Sequence, residues 1–301
     1  VGYTLPEENL NENGYNGAEG IITYKSSIND FNYSVSGNFT YSRYKSISTY
    51  KPRFGNSWAE YRNSAEDRWG GIWWGYQVVG RFQNEEEIRN YPINIDGQNN
   101  RTLLPGDFIY KDVNEDGVIN GMDERPIGYP DSWSPMISYG GTIAMNWKNI
   151  DLAIDLAGAT MQSWYQNYEL RNPFHAGGNS PAYLLEDRWH RADPYDPESE
   201  WISGRYPAIR NGNVGPNHRN SDFWLTNVWF LRLRNIELGY TLPKEWVSKV
   251  NVDRLRFYAT ASNLVSFDNV NGFEIDPEIS ANASVVYPQQ RTIVVGLNLS
   301  L

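Results

Sequence analysis

Apolar and polar residues alternate along much of this chain with the period of two that is expected of β-strands. In FNYSVSGNFTYSR, the residues Phe31, Tyr33 and Val35 are apolar and those between them are polar, and IDLAIDLAG and RLRFYATASN repeat the pattern. We predict seven strands, near 20–26, 30–44, 136–148, 149–162, 226–242, 252–267 and 288–301. In FLRLRNIELGY the apolar phase shifts near Asn235, which predicts a β-bulge.

The connections between these strands are of two kinds. Ser27-Ile28-Asn29 and Lys148-Asn149 are predicted tight turns and TLPKEWVSKVN is a modest one, whereas 45–135, 163–225 and 268–287 are long excursions. Short turns at one end and long loops at the other are typical of an outer-membrane barrel. If the tight turns are on the periplasmic side, successive strands alternate in direction across the membrane without exception. The long loops are then extracellular and the C-terminus is periplasmic.

A soluble β-sandwich would alternate in the same way. The polar faces of the predicted strands carry Asp151, Asp155, Arg254 and Arg256, which suit a wet lumen better than a thin sandwich face. Seven strands are too few to close around a channel. We therefore expect an all-β fold, an antiparallel transmembrane β-barrel segment that is completed elsewhere.

Composition narrows the possible functions. The 301 residues carry a formal net charge of −10 and no basic run, so a nucleic-acid partner is not expected. Cysteine is absent, which leaves no disulfide scaffold and no thiol chemistry. A mean hydropathy of −0.61 is compatible with a membrane barrel, because a spanning strand needs only every second residue to be apolar.

Several segments, in this order, resemble a known family. They are GDFIYKDVNEDGVINGMDERPIGYP, WKNIDLAIDLAGATMQ, LRLRNIELGYTLP, RLRFYATASNLVSF and YPQQRTIVVGLNLSL. Together they resemble the C-terminal part of a SusC/RagA-type TonB-dependent outer-membrane transporter, and the resemblance covers essentially the whole chain.

The resemblance implies a barrel of about 22 strands with an N-terminal plug, in the outer membrane of a Gram-negative bacterium. It also implies a SusD-like lipoprotein lid and TonB-driven import of oligosaccharides or peptides. The plug, the N-terminal strands and the contact with TonB are expected outside this sequence, and residues 1–301 are expected to form one portion of the barrel domain. Lipid surrounds such a barrel, and no enzyme activity is implied.

The segment KDVNEDGVINGMDER has the ligand spacing of a calcium loop. The candidate ligands are Asp112, Asn114, Asp116, Val118 through its carbonyl, Asn120 through water, and Asp123. Gly117 stands at the sixth position, where the loop turns sharply. The alternative is a turn whose Asp and Asn side chains bond their own backbone. A calcium ion here would stiffen a long loop and take no part in catalysis.

Aromatic residues cluster in EDRWGGIWWGYQ. Trp69, Trp73, Trp74 and Tyr76, with Trp58 nearby, are candidate substrate-binding residues, because flat rings stack on sugars and on peptide side chains. The alternative is a small core that holds the loop together.

Signatures of enzymes are missing from the sequence. It contains no GxSxG, no Walker loop and no GxGxxG after a strand. Asp151 and Asp155 resemble a glycosidase pair, but the polarity of a lumen explains them more simply. The spacing of His175, His190 and His218 does not fit a compact zinc site. Two alternative functions remain: a secreted, calcium-stiffened β-sandwich that binds carbohydrate, and a polysaccharide hydrolase.

Overall fold

The computed structural model describes residues 9–50, 53–131, 134–210, 215–273, 275–279 and 289–301. In these residues seven long strands form one antiparallel sheet, and each overlaps one of the predicted segments. They are β1 (Glu12–Ile28), β2 (Phe31–Ser48), β3 (Ile137–Trp147), β4 (Ile150–Tyr165), β5 (Leu225–Thr241), β6 (Arg254–Asp268) and β7 (Thr292–Ser300). That they belong to one larger barrel domain stays a prediction.

The strands follow one another through the sheet in chain order, from β1 at one edge to β7 at the other. The short strand Arg68–Trp69 adds to β2 beside Lys45 and Ser46. Within the described residues β1 and β7 do not pair with each other, so the sheet is open. The pairing of β5 with both of its neighbours shifts between Leu233 and Asn235, which confirms the predicted bulge.

The long excursions fold together at one end of the sheet. We call their described residues, within 49–136, 166–224 and 269–279, the cap. It contains the helices α1 (Ser57–Asn63), α2 (Glu85–Asn90) and α3 (Ala182–Glu186). Its short strands are Trp74–Gly75, Val78–Arg81, Phe108–Tyr110, Arg125–Pro126, His190–Arg191 and Trp201–Ile202. Its 3-10 helices are Gly121–Asp123, Tyr168–Leu170, His175–Gly177, Pro216–His218, Asp222–Trp224 and Asn271–Phe273.

The hydrophobic core of the molecule lies mainly in the cap. Phe82, Phe108, Leu184, Trp224 and Val270 are buried in one cluster, and they come from all three excursions. The excursions therefore depend on one another for burial of their apolar side chains. Among the described helices, none has the length and hydrophobicity needed to cross a membrane.

Short connections join the strands at the opposite end. Asn29 and Lys148 open the two tight turns in the left-handed region, with φ of 53° and 54°. The predicted turn at Ser27-Ile28-Asn29 is misplaced: Ile28 still pairs with Phe31, so the turn consists of Asn29 and Asp30. The connection from β5 to β6 contains helix α4 (Lys244–Val247) and the 3-10 helix Ser248–Val250.

One face of the sheet is apolar and open to the surroundings. Three rows of cross-strand partners are Phe31, Trp147, Ile150, Tyr240, Phe257 and Leu297; Tyr33, Met145, Leu152, Leu238, Ala259 and Val295; and Val35, Ile143, Ile154, Ile236, Ala261 and Ile293. Leu238 is 53% exposed and Val295 is 78% exposed. A β-sandwich would bury these rows against a second sheet, whereas a membrane barrel turns them toward lipid.

Candidate functional site

The calcium-like loop is organised by its own side chains. The Gly117 amide donates to Oδ2 of Asp112 at 2.8 Å, and the Val118 amide donates to Oδ1 of Asp116 at 2.9 Å. The Asn114 side chain also donates to Asp116, at 2.9 Å. The hydrogen bond from Val118, followed by that from Asn114, lowers the pKa of Asp116.

Asp123, the twelfth residue of the loop, braces the backbone. It is 1% exposed, and its two carboxylate oxygens accept the amides of Val113 at 2.8 Å and Asn120 at 2.9 Å. Asn120 in turn accepts the Met122 amide, which completes a capping box on the helix Gly121–Asp123. Asp123 is therefore committed to hydrogen bonds that fix the second half of the loop.

In the first half of the loop, one carboxylate oxygen has no hydrogen-bond partner among the described residues. Oδ1 of Asp112 is shielded from solvent and accepts no hydrogen bond from the described residues. The described residues contain no group of three or more His, Cys, Asp or Glu that could hold a metal ion. Calcium binding by Asp112, Asn114, Asp116, Val118, Asn120 and Asp123 stays a prediction.

The loop is joined to the core of the cap by backbone pairing. Ile119 is buried, its amide donates to the Asn94 carbonyl at 2.9 Å, and the Asn94 amide donates to the Gly117 carbonyl at 2.9 Å. Arg219 then binds the carbonyls of Ile119 at 3.1 Å and Ile95 at 2.9 Å. Stiffening of the loop would therefore be transmitted to the centre of the cap.

The five candidate aromatic residues do not form one cluster. Trp58 and Trp74 both contact the Tyr61 ring, with centroids 5.5 and 5.3 Å away, and Trp69 lies apart under the Arg43 guanidinium at 4.5 Å. Their rings are thus engaged by neighbouring side chains of the protein.

The other two aromatic residues pack toward the sheet and the core. Trp73 stacks on Tyr165 with centroids 5.4 Å apart, and Tyr76 is buried against Tyr110. Trp73 also lines a cavity of about 500 Å³ together with Tyr15 and Tyr44. Contact of these five residues with substrate stays a prediction, and Trp73 borders open space.

The polar face of the sheet carries a charged network. Arg256 lies between Asp151, with Nε to Oδ1 at 3.1 Å, and Glu237 at 2.7 Å. Asp155 accepts a hydrogen bond from Thr142 at 3.0 Å. Asp151 and Asp155, which resemble a glycosidase pair in the sequence, therefore bind different partners. This is expected of polar side chains that make the face of a sheet hydrophilic.

A second charged cluster on this face is not evident from the sequence. Arg232, 4% exposed, binds Asp276 at 2.8 Å and Glu278 at 2.6 Å, and Arg234 also binds Glu278. Gln162 of β4 donates to the Pro277 carbonyl at 3.2 Å. Residues 275–279, which we call the inner segment, are thereby fixed to the sheet. The alternating arginines of FLRLRNIELGY are a signal for a charged wall, but nothing in the sequence indicates their partners.

The cap has its own buried polar centre at Asp107. This carboxylate accepts the Leu104 amide at 2.8 Å and the Asn217 side chain at 2.7 Å, and it pairs with Arg210. Burial raises the pKa of Asp107, while Arg210 and Asn217 oppose the shift. Asn217 then accepts the Phe108 amide at 2.9 Å, so the network orients core residues.

Because of the buried imidazole of His218, we expect the stability of the cap to depend on pH. Burial, and then Arg171 and Arg210, lower the pKa of its imidazole to about 4 from the ordinary 6.5. Because the folded state disfavours the imidazolium, the stability of the cap should be full above pH ~6.5 and fall as the pH drops toward 4, by on the order of 3 kcal/mol. Hydrogen exchange at the Trp224 amide measures this loss. The variant His218→Gln should lack this contribution, and equal acid sensitivity in both proteins would contradict the prediction.

The chain is similar to curated TonB-dependent receptors. It is 24% identical to TonB-dependent receptor P3 of Formosa agariphila over 245 residues, which is 76% of this chain and 22% of that protein. It is 25% identical to TonB-dependent receptor SusC of Bacteroides thetaiotaomicron over 197 residues, which is 65% of this chain and 18% of SusC. The chain thus spans about a fifth of the length of these relatives. No family model matches the sequence.

Solved structures share the fold. The structure of the RagAB peptide transporter aligns with a TM-score of 0.65 and 18% identity, over 97% of this chain and 30% of that one. The RagAB peptide importer in its open-open state aligns with a TM-score of 0.63 and 19% identity, again over 97% of this chain. These similarities confirm that the sheet is an all-β barrel segment.

Proposed function

We propose that this chain, whose resemblance to the SusC/RagA-type TonB-dependent transporters is confirmed in both sequence and fold, forms the C-terminal wall and extracellular cap of an outer-membrane importer. One observation carries the proposal: the two faces of the sheet are opposite in character. Leu238 and its row partners are exposed and apolar, whereas Arg256, Asp151 and Glu237 form a charged network on the other face. A lipid-facing wall around an aqueous lumen has this distribution.

The cargo that we propose is an oligosaccharide or a peptide. The similarity in fold to RagAB, a peptide importer, supports a peptide, and the similarity to the TonB-dependent receptor SusC supports TonB-dependent uptake without specifying a cargo. A SusD-like lipoprotein would close over the cap from outside, and TonB would act through the rest of the longer protein. In this orientation the cap is extracellular and the tight turns are periplasmic. Among the predicted aromatic residues, Trp73 is the strongest candidate for contact with cargo, since it lines the cavity beside Tyr15 and Tyr44.

The test of the wall is a pair of arginine substitutions in the full-length protein. Leu238→Arg places a charge on the apolar face and is expected to lower the free energy of unfolding by about 2–4 kcal/mol, because lipid cannot solvate it. Ser262→Arg, on the polar face of β6, is the matched control and is expected to have little effect. Heat-modifiable mobility of the folded barrel on gels measures both. Equal tolerance of the two arginines would contradict a lipid-facing wall.

Calcium binding by the loop 112–123 is part of this proposal. It is supported by Oδ1 of Asp112, which is buried without a hydrogen-bond partner among the described residues and could therefore bind a cation. Extracellular sites of this kind bind calcium weakly, so ~10 mM calcium is expected to stabilise the cap by roughly 1.5–3 kcal/mol. Thermal unfolding with and without calcium measures the shift. Asp112→Asn combined with Asp116→Asn should abolish it, and Asp193→Asn, an exposed aspartate elsewhere in the cap, should preserve it. No shift in the unsubstituted protein would leave the loop as a self-bonded turn.

A further inference from the structure

The connection between β5 and β6 is an ordered element at the turn end of the sheet. The Leu242 amide donates to the Leu255 carbonyl at 2.9 Å, and the Val252 amide donates to the Val247 carbonyl at 3.2 Å. Val247 is buried, and Asn251 ends the 3-10 helix in the left-handed region with φ of 57°. These contacts hold helix α4 in place at the turn end of the sheet, beyond the apolar pair Leu255 and Leu299.

Helix α4 exposes one large ring between two cations. Trp246 is 59% exposed, and Lys244 and Lys249 on either side of it are exposed as well. Neither lysine forms an ion pair with any described residue. A single exposed ring is ordinary on a protein surface. Here Lys244 lies two positions before the ring and Lys249 three positions after it, and even with the exposed Glu245 between them the segment carries a net positive charge, as segments at a membrane interface do.

The neighbouring hairpin repeats the combination at the same end. Lys148, in the tight turn, places Nζ 5.5 Å from the ring centroid of Trp147. Trp147 belongs to the same apolar row as Tyr240, which precedes α4 in the chain, and Phe257, which follows it. Aromatic rings and lysines thus border the apolar face where the strands leave the membrane in the proposed orientation.

We propose that α4 and the turn at Lys148 bind the phospholipid leaflet on the periplasmic side of the membrane. Trp246 lies at the boundary between headgroups and acyl chains, and Lys244 and Lys249 contact the phosphates of an anionic lipid such as phosphatidylglycerol. The lysines are notable in a chain with a net charge of −10, because repulsion from acidic lipid is otherwise expected. This inference rests on the proposed function, since it requires the apolar rows to be in a membrane.

Spin labels attached to single cysteines test the position of α4. In a cysteine-free background of the full-length protein, Trp246→Cys, Leu238→Cys and Tyr195→Cys are labelled in vesicles of phosphatidylethanolamine and phosphatidylglycerol. Oxygen should relax the label at 238 most, a water-soluble nickel complex should relax the label at 195 most, and the label at 246 should give the intermediate values of the headgroup level.

The failures of the two proposals are distinguishable in this experiment. Water-like values at 246 with lipid-like values at 238 would overturn the binding of α4 to the leaflet and leave the barrel wall intact. Water-like values at both positions would overturn the proposed function together with the inference.

Lipid retention in native mass spectrometry tests the role of the lysines. Lys244→Gln combined with Lys249→Gln should reduce the preference for phosphatidylglycerol over phosphatidylcholine by about fivefold for each lysine at low salt. Lys25→Gln is the control, because Lys25 is an exposed lysine on the polar face of β1. An unchanged preference in the double variant would overturn the contact with phosphate.

Discussion

Arg232→Met in the full-length protein is expected to release the inner segment from the wall. The arginine is buried and neutralises Asp276 and Glu278, so its removal leaves carboxylates without their principal partner. Breaking a buried ion pair in this way lowers the free energy of unfolding by roughly 3–5 kcal/mol. Arg234 still reaches Glu278, and it cannot replace both contacts made by Arg232.

The expected readout is local. Hydrogen exchange at the amides of Glu278 and Ile279 should accelerate by about two to three orders of magnitude. Arg254→Met, which removes an exposed arginine from the same sheet, should leave these rates unchanged. Adding Asp276→Asn and Glu278→Gln to Arg232→Met should recover part of the protection, since the stranded charges are then gone. Normal protection in Arg232→Met alone would refute this role for the cluster.

Asp107→Ala is expected to loosen the cap to a similar extent. The substitution leaves the Leu104 amide, the Asn217 side chain and Arg210 without their common acceptor. Because Asp107 is fully buried, the loss is roughly 3–5 kcal/mol of cap stability. Asn217 then loses its orientation, and through it the hydrogen bonds to Phe108 and Trp224 weaken.

Exchange rates at the amides of Leu104 and Phe108 measure this effect. Asp193→Ala is the matched control, because Asp193 is exposed and accepts the Tyr195 amide at the surface, so its loss should change stability by less than ~0.5 kcal/mol. If the barrel wall also unfolds in Asp107→Ala, the cap and sheet form one cooperative unit. Unchanged protection at Leu104 would show that Asp107 is not the centre of the network.

The strands could be predicted from sequence because one face of each is apolar and the other is polar. That asymmetry imposes a period of two on Leu152, Ile154 and their neighbours, and it also reveals the bulge near Asn235. The first half of β1 could not be found in this way. Its ENGYNGAEG stretch has no regular alternation, and its pairing with β2 alone makes it a strand.

The cap could not be predicted, because its contacts join residues far apart in the chain. Phe82 and Val270 are isolated apolar residues in polar stretches, yet both belong to one core. Arg232 and Asp276 are separated by 44 positions and no local pattern connects them. The role of Asp123 was open for a different reason: a carboxylate at that spacing can serve either a cation or the backbone, and the structure has it accept two amides.

The shared core of the cap also sets the order in which the molecule can mature. Trp224 stands immediately before β5 and Val270 follows β6, so the cluster they enter cannot close until both of those strands are in position. Until then, the aromatic residues of the first excursion keep their apolar surface uncovered. Such long-range closure is slow. A chaperone or a lipoprotein companion that shields these rings during biogenesis would shorten the exposed interval.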